Sequence, residues 1–222
     1  MRVSTANRAV ARLAAEAIAD RTRDEERMSD QPTLRSDARR NREKLLAVAA
    51  ETFASSGVNA SLEEIARQAG VGVGTLYRHF PSREALVAAT YRHEVEQLCD
   101  SVADLQASLA PDAALRAWMD GFVHYTAAKR GMGEALQAVM ASDSAIYAEA
   151  YAKLVGALDA LLSAAAAAGA IRPDVRGEDV LRALGAIWMI RDSANREEQA
   201  ERVLDLLMDG LRYDPSRRPA AG

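Results

Sequence analysis

The stretch GVGTLYRHFPSREAL, residues 72–86, decides how this chain is read. Pro81 breaks any helix running into it, and Ser82 is placed to cap the next one. What remains before the break is a short helix over residues 73–79. With Leu76 as origin and about 100° per residue, Phe80 and Val73 fall within roughly 60° of it. Those three make an apolar face. Gly74, Thr75 and Arg78 point the opposite way, and Tyr77 and His79 stand on the two shoulders. A short helix with a greasy underside and a polar, cationic top is built to rest on a core and present its other face.

The flanks fit that purpose. Ser61-Leu-Glu-Glu64 has capping-box spacing, in which the Ser accepts from a backbone N–H and the Glu returns the bond. It opens a helix that ends by Gly70. Two helices joined by a tight glycine-containing turn make a helix-turn-helix. Upstream, Leu45, Leu46, Ala49 and Phe53 recur at helical spacing over residues 36–56, and Gly57 stops that helix. Its first turns carry Arg35, Arg39, Arg40, Arg42 and Lys44.

A helix with this outward face suits a DNA major groove. Arg78 has the fork that binds guanine O6 and N7 together, and Thr75 can donate to a base or touch a thymine methyl. Gly74 lets the backbone come close. Tyr77 and His79 offer neutral donors to phosphate, and Arg83 a cationic one. Ser61 can give its hydroxyl to another phosphate, and Arg39, Arg40 and Arg42 can meet the backbone. Each has a plainer reading: His79 as a packing or capping histidine, Arg83 as a solvated helix start, the arginines as a charged face. Their conjunction within about 50 residues favours DNA.

SLEEIARQAGVGVGTLYRHFPSREALV, residues 61–87, resembles the DNA-binding region of the TetR family of bacterial transcriptional regulators, and the likeness covers roughly residues 39–89. The resemblance implies a three-helix DNA-binding domain, followed by an all-α domain that dimerises and binds a small effector. It implies DNA contacts at Ser61, Thr75, Tyr77, His79 and Arg83. Arg78 falls at a variable reader position, so no base preference carries over. The stretch AKRGMGEALQAVM, residues 128–140, is similar to an SbtR-like subgroup.

Composition agrees with an all-α chain. Of 222 residues 49% are hydrophobic and 27% charged, alanine is abundant, and aromatics reach only 5%. The net charge of −4 is unevenly spread: residues 33–93 hold nine Lys/Arg against six Asp/Glu, and residues 94–222 hold 13 against 20. A modestly basic segment joined to an acidic body can still bind DNA, because the local field decides. A lone Cys99 excludes an intramolecular disulfide and a cysteine zinc site. No cofactor is expected, and no apolar run approaches the roughly 20 residues that span a bilayer. A cytoplasmic location is expected.

The expected organisation is a weakly helical or disordered arm over residues 1–33, a helix-turn-helix domain over 34–81, a helical effector and dimerisation domain over 82–213, and a disordered tail over 214–222. Beyond Ser82, a long helix steps through Tyr91, Val95, Leu98, Val102, Leu105 and Leu109. Pro111 then breaks the chain, and Asp112 can cap the following helix. Trp118, Phe122, Tyr125, Leu136, Met140 and Tyr147 are the candidate walls of an apolar or aromatic effector pocket, although such a stripe reads equally well as filled core. Met132, between Gly131 and Gly133, sits where the backbone could gate access. Leu158, Leu161, Leu181, Leu184, Gly185 and Trp188 are the candidate dimer surface, or else bury one another within the chain. The expected partners are a palindromic duplex DNA, a second copy of the chain and a small effector.

Other classes fare worse. The sequence has no HExxH, P-loop or GxSxG, and its three histidines are scattered at 79, 93 and 124. An all-α enzyme is therefore disfavoured. A ligand-independent scaffold remains the other alternative, and it would lack an enclosed pocket.

Overall fold

The computed structural model describes residues 36–57, 60–190 and 195–212. The arm over residues 1–33 and the tail over 214–222 lie outside them. Every described element is a helix. Helix α1 covers residues 36–56, α2 Leu62–Gln68, α3 Val73–His79, α4 Arg83–Ser108, α5 Pro111–Ser142, α6 Ser144–Ala167, α7 Gly177–Trp188 and α8 Arg196–Arg212.

Two compact units divide between Lys44 and Leu45. In the first, residues 36–44 form helical turns with exposed arginines: Arg39 Nε lies 3.7 Å from Glu43, and Arg40 pairs with Asp37. The second unit runs from Leu45 and has one continuous apolar core, from Leu45, Leu46 and Phe53 through Ile65, Leu76 and Leu86 to Leu204 and Leu211. Each such side chain taken fully from water contributes about 1.5–3 kcal/mol.

Local signals explain the element ends. The Ser61 hydroxyl accepts from Glu64 N–H at 3.2 Å, the forward half of the capping box. The return half is spent elsewhere: Glu64 accepts from Arg67 and Gln68, and those bonds hold its carboxyl down at about 2. Ser82 caps α4 by accepting from Ala85 N–H at 3.1 Å. Asp112 does not cap α5. Pro111 already occupies the first turn, where its missing N–H costs nothing, and Asp112 instead accepts from Arg212 at 2.7 Å.

Helix α4 has 26 residues and is roughly 39 Å long. It packs against α5 and α6, while α6 packs on α7. Helix α5 is kinked at Gly133, whose φ 48° and ψ −128° suit only a residue without a side chain. Two residues earlier, Gly131 lies against the end of α1 so closely that a Cβ there would stand 1.7 Å from the Phe53 carbonyl oxygen. Met132 between them is buried, and the two glycines are required by contact and by kink.

Helix α6 is long and apolar enough, by length and composition, to cross a bilayer. Its Leu154, Leu158, Leu161 and Leu162 are instead buried within this chain, Lys153 pairs with Glu96, and Asp159 accepts from Gly177 N–H at 2.7 Å.

Candidate nucleic-acid interface and ligand cavity

Helix α3 rests on Leu76 and Phe80, which are 0% and 2% exposed. Val73, predicted on the same face, is 38% exposed because it opens the helix at the margin of the core. Arg78, Gly74 and Tyr77 are exposed, and Thr75 and His79 half-buried. A Cβ at Gly74 would meet nothing within 4 Å, so the backbone there is open to approach. Arg78 Nη2 donates to Thr75 Oγ1 at 3.2 Å, which gathers the two polar side chains on one side of the helix.

Two of the expected phosphate contacts already have duties. Arg83 Nη1 donates to the Ala60 carbonyl at 2.6 Å, and its guanidinium lies 5.6 Å from the Phe53 ring centre. It ties the start of α4 to the loop before α2. The Ser61 hydroxyl donates to Glu63 at 2.9 Å while capping α2. Arg39, Arg40 and Arg42 are exposed in the first unit.

A cavity of about 430 Å³ opens among α4, α5, α6 and α7. Helix α5 supplies Phe122, Tyr125, Thr126, Lys129, Gly133, Leu136, Gln137 and Met140. Tyr91 comes from α4, Tyr147, Tyr151 and Leu154 from α6, and Leu181, Arg182 and Gly185 from α7. Of the six residues expected in its walls, five are there. Trp118 is not: it is fully buried one turn before Phe122, and its indole N–H donates to the Leu98 carbonyl at 2.9 Å.

The cavity is more polar than its apolar stripe suggested. Lys129 Nζ lies 5.9, 6.0 and 5.7 Å from the ring centres of Tyr91, Tyr125 and Tyr147. Burial lowers its ammonium below the ordinary lysine range. The Tyr125 hydroxyl donates to that of Tyr91 at 3.3 Å, and burial pushes both phenols up. Tyr151 donates to Glu178, which also pairs with Arg182. The signal for Lys129 lay in the spacing: residues 122, 125, 129, 133, 136 and 140 share one side of α5, and a lysine amid an apolar stripe is an anomaly.

The candidate dimer residues divide. Leu158, Leu161 and Leu184 are fully buried within the chain and Leu181 is 7% exposed, so they have little or no surface left for a partner to cover. Gly185 is exposed and borders the cavity. The Trp188 side chain lies outside what the structure describes. Leu206 on α8 is 73% exposed, and Met189 just past α7 is 82%.

Comparison with known proteins follows this division. Residues 45–90 match the model for bacterial regulatory proteins of the tetR family, and residues 110–213 match that for the SbtR-like transcriptional regulator C-terminal domain. A TetR transcriptional regulator from Streptomyces coelicolor is 50% identical over 81% of this chain and 99% of its own, with a TM-score of 0.72. A TetR regulatory protein from Mycobacterium vanbaalenii is 36% identical over the same shares, with a TM-score of 0.66. An HTH-type transcriptional regulator of Staphylococcus aureus is 43% identical over 54 residues, which are 24% of this chain and 29% of that protein.

Proposed function

Because the chain belongs to the TetR family of transcriptional regulators, we propose that it is a homodimeric repressor, released from a palindromic operator by a small molecule bound in the α4–α7 cavity. The observation that carries the DNA half is the outward presentation of Arg78 and Tyr77 above buried Leu76 and Phe80. In this reading α3 enters the major groove. Arg78 and Thr75 read base edges, Gly74 admits the backbone, and Tyr77 and His79 hold phosphates. Arg39, Arg40 and Arg42 add sequence-independent charge. Arg83 and Ser61 act mainly by positioning, given their bonds within the chain.

The dimer would form along the outward sides of α7 and α8, where Gly185 and Leu206 remain exposed. Two copies of α3 would then meet successive major grooves about 34 Å apart, which asks for an approximately palindromic site. An effector in the cavity touches α4 through Tyr91 and α5 through Lys129 and Gly133. Helix α4 begins four residues after α3, so a small shift of α4 would carry α3 with it. Release needs a coupling free energy of about 1–3 kcal/mol.

The test is a gel shift and footprint on the DNA upstream of its own gene, in a salt series. A palindromic footprint with steep salt dependence is the expected result. Arg78→Ala should weaken the specific site by about 1–3 kcal/mol while sparing non-specific binding. Salt-insensitive binding, or none, would overturn the proposal. The cavity counts against the scaffold reading, which has no use for a space of this size.

A further inference from the structure

Four of the chain's six tyrosines line one cavity, together with Phe122. Leucines would wall a greasy space as well, and they bring no hydroxyl that needs a partner. The Tyr151 hydroxyl has one: it donates to Glu178 at 3.2 Å. Tyr147 is 50% exposed and reaches solvent. Tyr91 and Tyr125 are different. They are 1% and 4% exposed, and their one hydrogen bond among the described residues is to each other, at 3.3 Å. Two phenols carry two protons, and a mutual bond uses only one of them. Whichever oxygen donates, one proton is left over without a protein acceptor. Both residues border the open space, so a molecule seated there can take that proton. A ligand that displaces water from the cavity must supply the acceptor itself, or leave a buried donor unmet.

A carbonyl oxygen suits this position. It accepts a proton and brings none of its own, so the chain of donors ends on it. A ligand hydroxyl would accept one proton and hand on another that again needs a partner. The rings decide the body. Tyr91, Tyr125 and Phe122 form a tilted run with centres 6.1 and 5.5 Å apart, and Tyr147 and Tyr151 stack at 6.2 Å. Such walls reward a flat ring with offset and edge-to-face contacts beyond the area it buries. On the reading that this cavity is the effector site, we propose that the effector is a flat aromatic carbonyl compound, its oxygen accepting from the Tyr91–Tyr125 pair and its ring lying among Phe122, Tyr147 and Tyr151. A volume of about 430 Å³ lies within the usual range of small-molecule sites.

The test uses three probes of related outline. They are 2-acetylnaphthalene; 2-isopropenylnaphthalene, with a methylene group in place of the carbonyl oxygen; and 2-acetyldecalin, which is saturated and not flat. Binding to the full chain is measured by calorimetry without DNA, so the outcome does not depend on the operator. The decisive protein combines Tyr91→Phe with Tyr125→Phe, because either change alone leaves the other phenol a proton to give. Removing both hydroxyls replaces paired groups by apolar ones of the same outline, so the fold should survive. The ratio of ketone to alkene affinity should fall by about tenfold from wild type to this double variant. Each single variant should keep part of the ratio. The flat ketone should bind the wild type several-fold more tightly than acetyldecalin. Melting curves show whether the double variant folds; should it fail, the infrared spectrum of the ketone bound to wild type decides. Its carbonyl band should lie at lower frequency than in hexane. An unchanged ratio in a folded double variant, a carbonyl band at its hexane position, a saturated ketone that binds as tightly as the flat one, or no binding of either naphthalene would overturn the proposal. A ketone that binds through the tyrosine pair yet leaves operator affinity unchanged would instead sink the release mechanism and spare this inference.

Discussion

Thr90 is fully buried on α4, and its hydroxyl meets no partner among the described residues. A buried hydroxyl without a hydrogen bond costs about 1–3 kcal/mol, whereas an apolar group of the same outline does not. Thr90→Val should therefore stabilise the protein by about 1 kcal/mol and raise Tm by about 2–4 °C, read by calorimetry. Two other buried polar groups show the opposite economy. Trp118 N–H and Thr126 Oγ1 each donate to a backbone carbonyl, at 2.9 and 2.7 Å, so they sit in the core at little cost. Burial pushes the Cys99 thiol up to about 11, which keeps it in the unreactive protonated form at neutral pH.

Among the elements, α5 carries the most specific geometry. Gly133 in its kink has φ 48°, where any side chain brings strain of about 1–3 kcal/mol. Gly133→Ala should lower the unfolding free energy by that amount and perturb the cavity wall. A denaturant titration measures the first effect, and ligand affinity the second. The sequence already showed where α5 would falter, because two glycines bracket Met132. It did not show why, since the close approach of Gly131 to Phe53 joins residues 78 positions apart. Helix spans and the buried face of α3 were legible from periodicity and caps, which are local. The contacts of Arg83 within the chain were not legible, because Ala60 lies in the loop before α2 and Phe53 in α1, which spacing alone cannot bring together. Trp118 was misread because one turn of helix separates a core position from a cavity wall. The α6 and α7 leucines carry the same lesson: an apolar stripe says that a face is covered, not by whom.

At the scale of the whole molecule, charge distribution sets how stability responds to pH. Glu94 on α4 is held above the ordinary carboxylate range by burial and by Glu51, while His124 and His93 oppose that shift. Between the unfolded pKa, about 4.3, and the raised folded value, the folded state binds more protons than the unfolded one. Stability contributed by this group therefore falls as pH rises through that window. Glu94→Gln should be more stable than wild type at neutral pH and no different well below pH 4. Urea midpoints across that range check it. A second consequence concerns the joint at Gly131. Lys129 and Gly133, on either side of it, line the cavity, and Gly131 itself touches the residue that closes α1 over the DNA-reading helices. On the proposed function, the coupling between effector and operator has no preferred direction. Whatever factor an inducing molecule takes from the grip on an operator, the operator must take from the grip on that molecule. A cell rich in unoccupied operator copies would then need more inducer to switch, and the same protein titrated with duplex should visibly shed its small ligand.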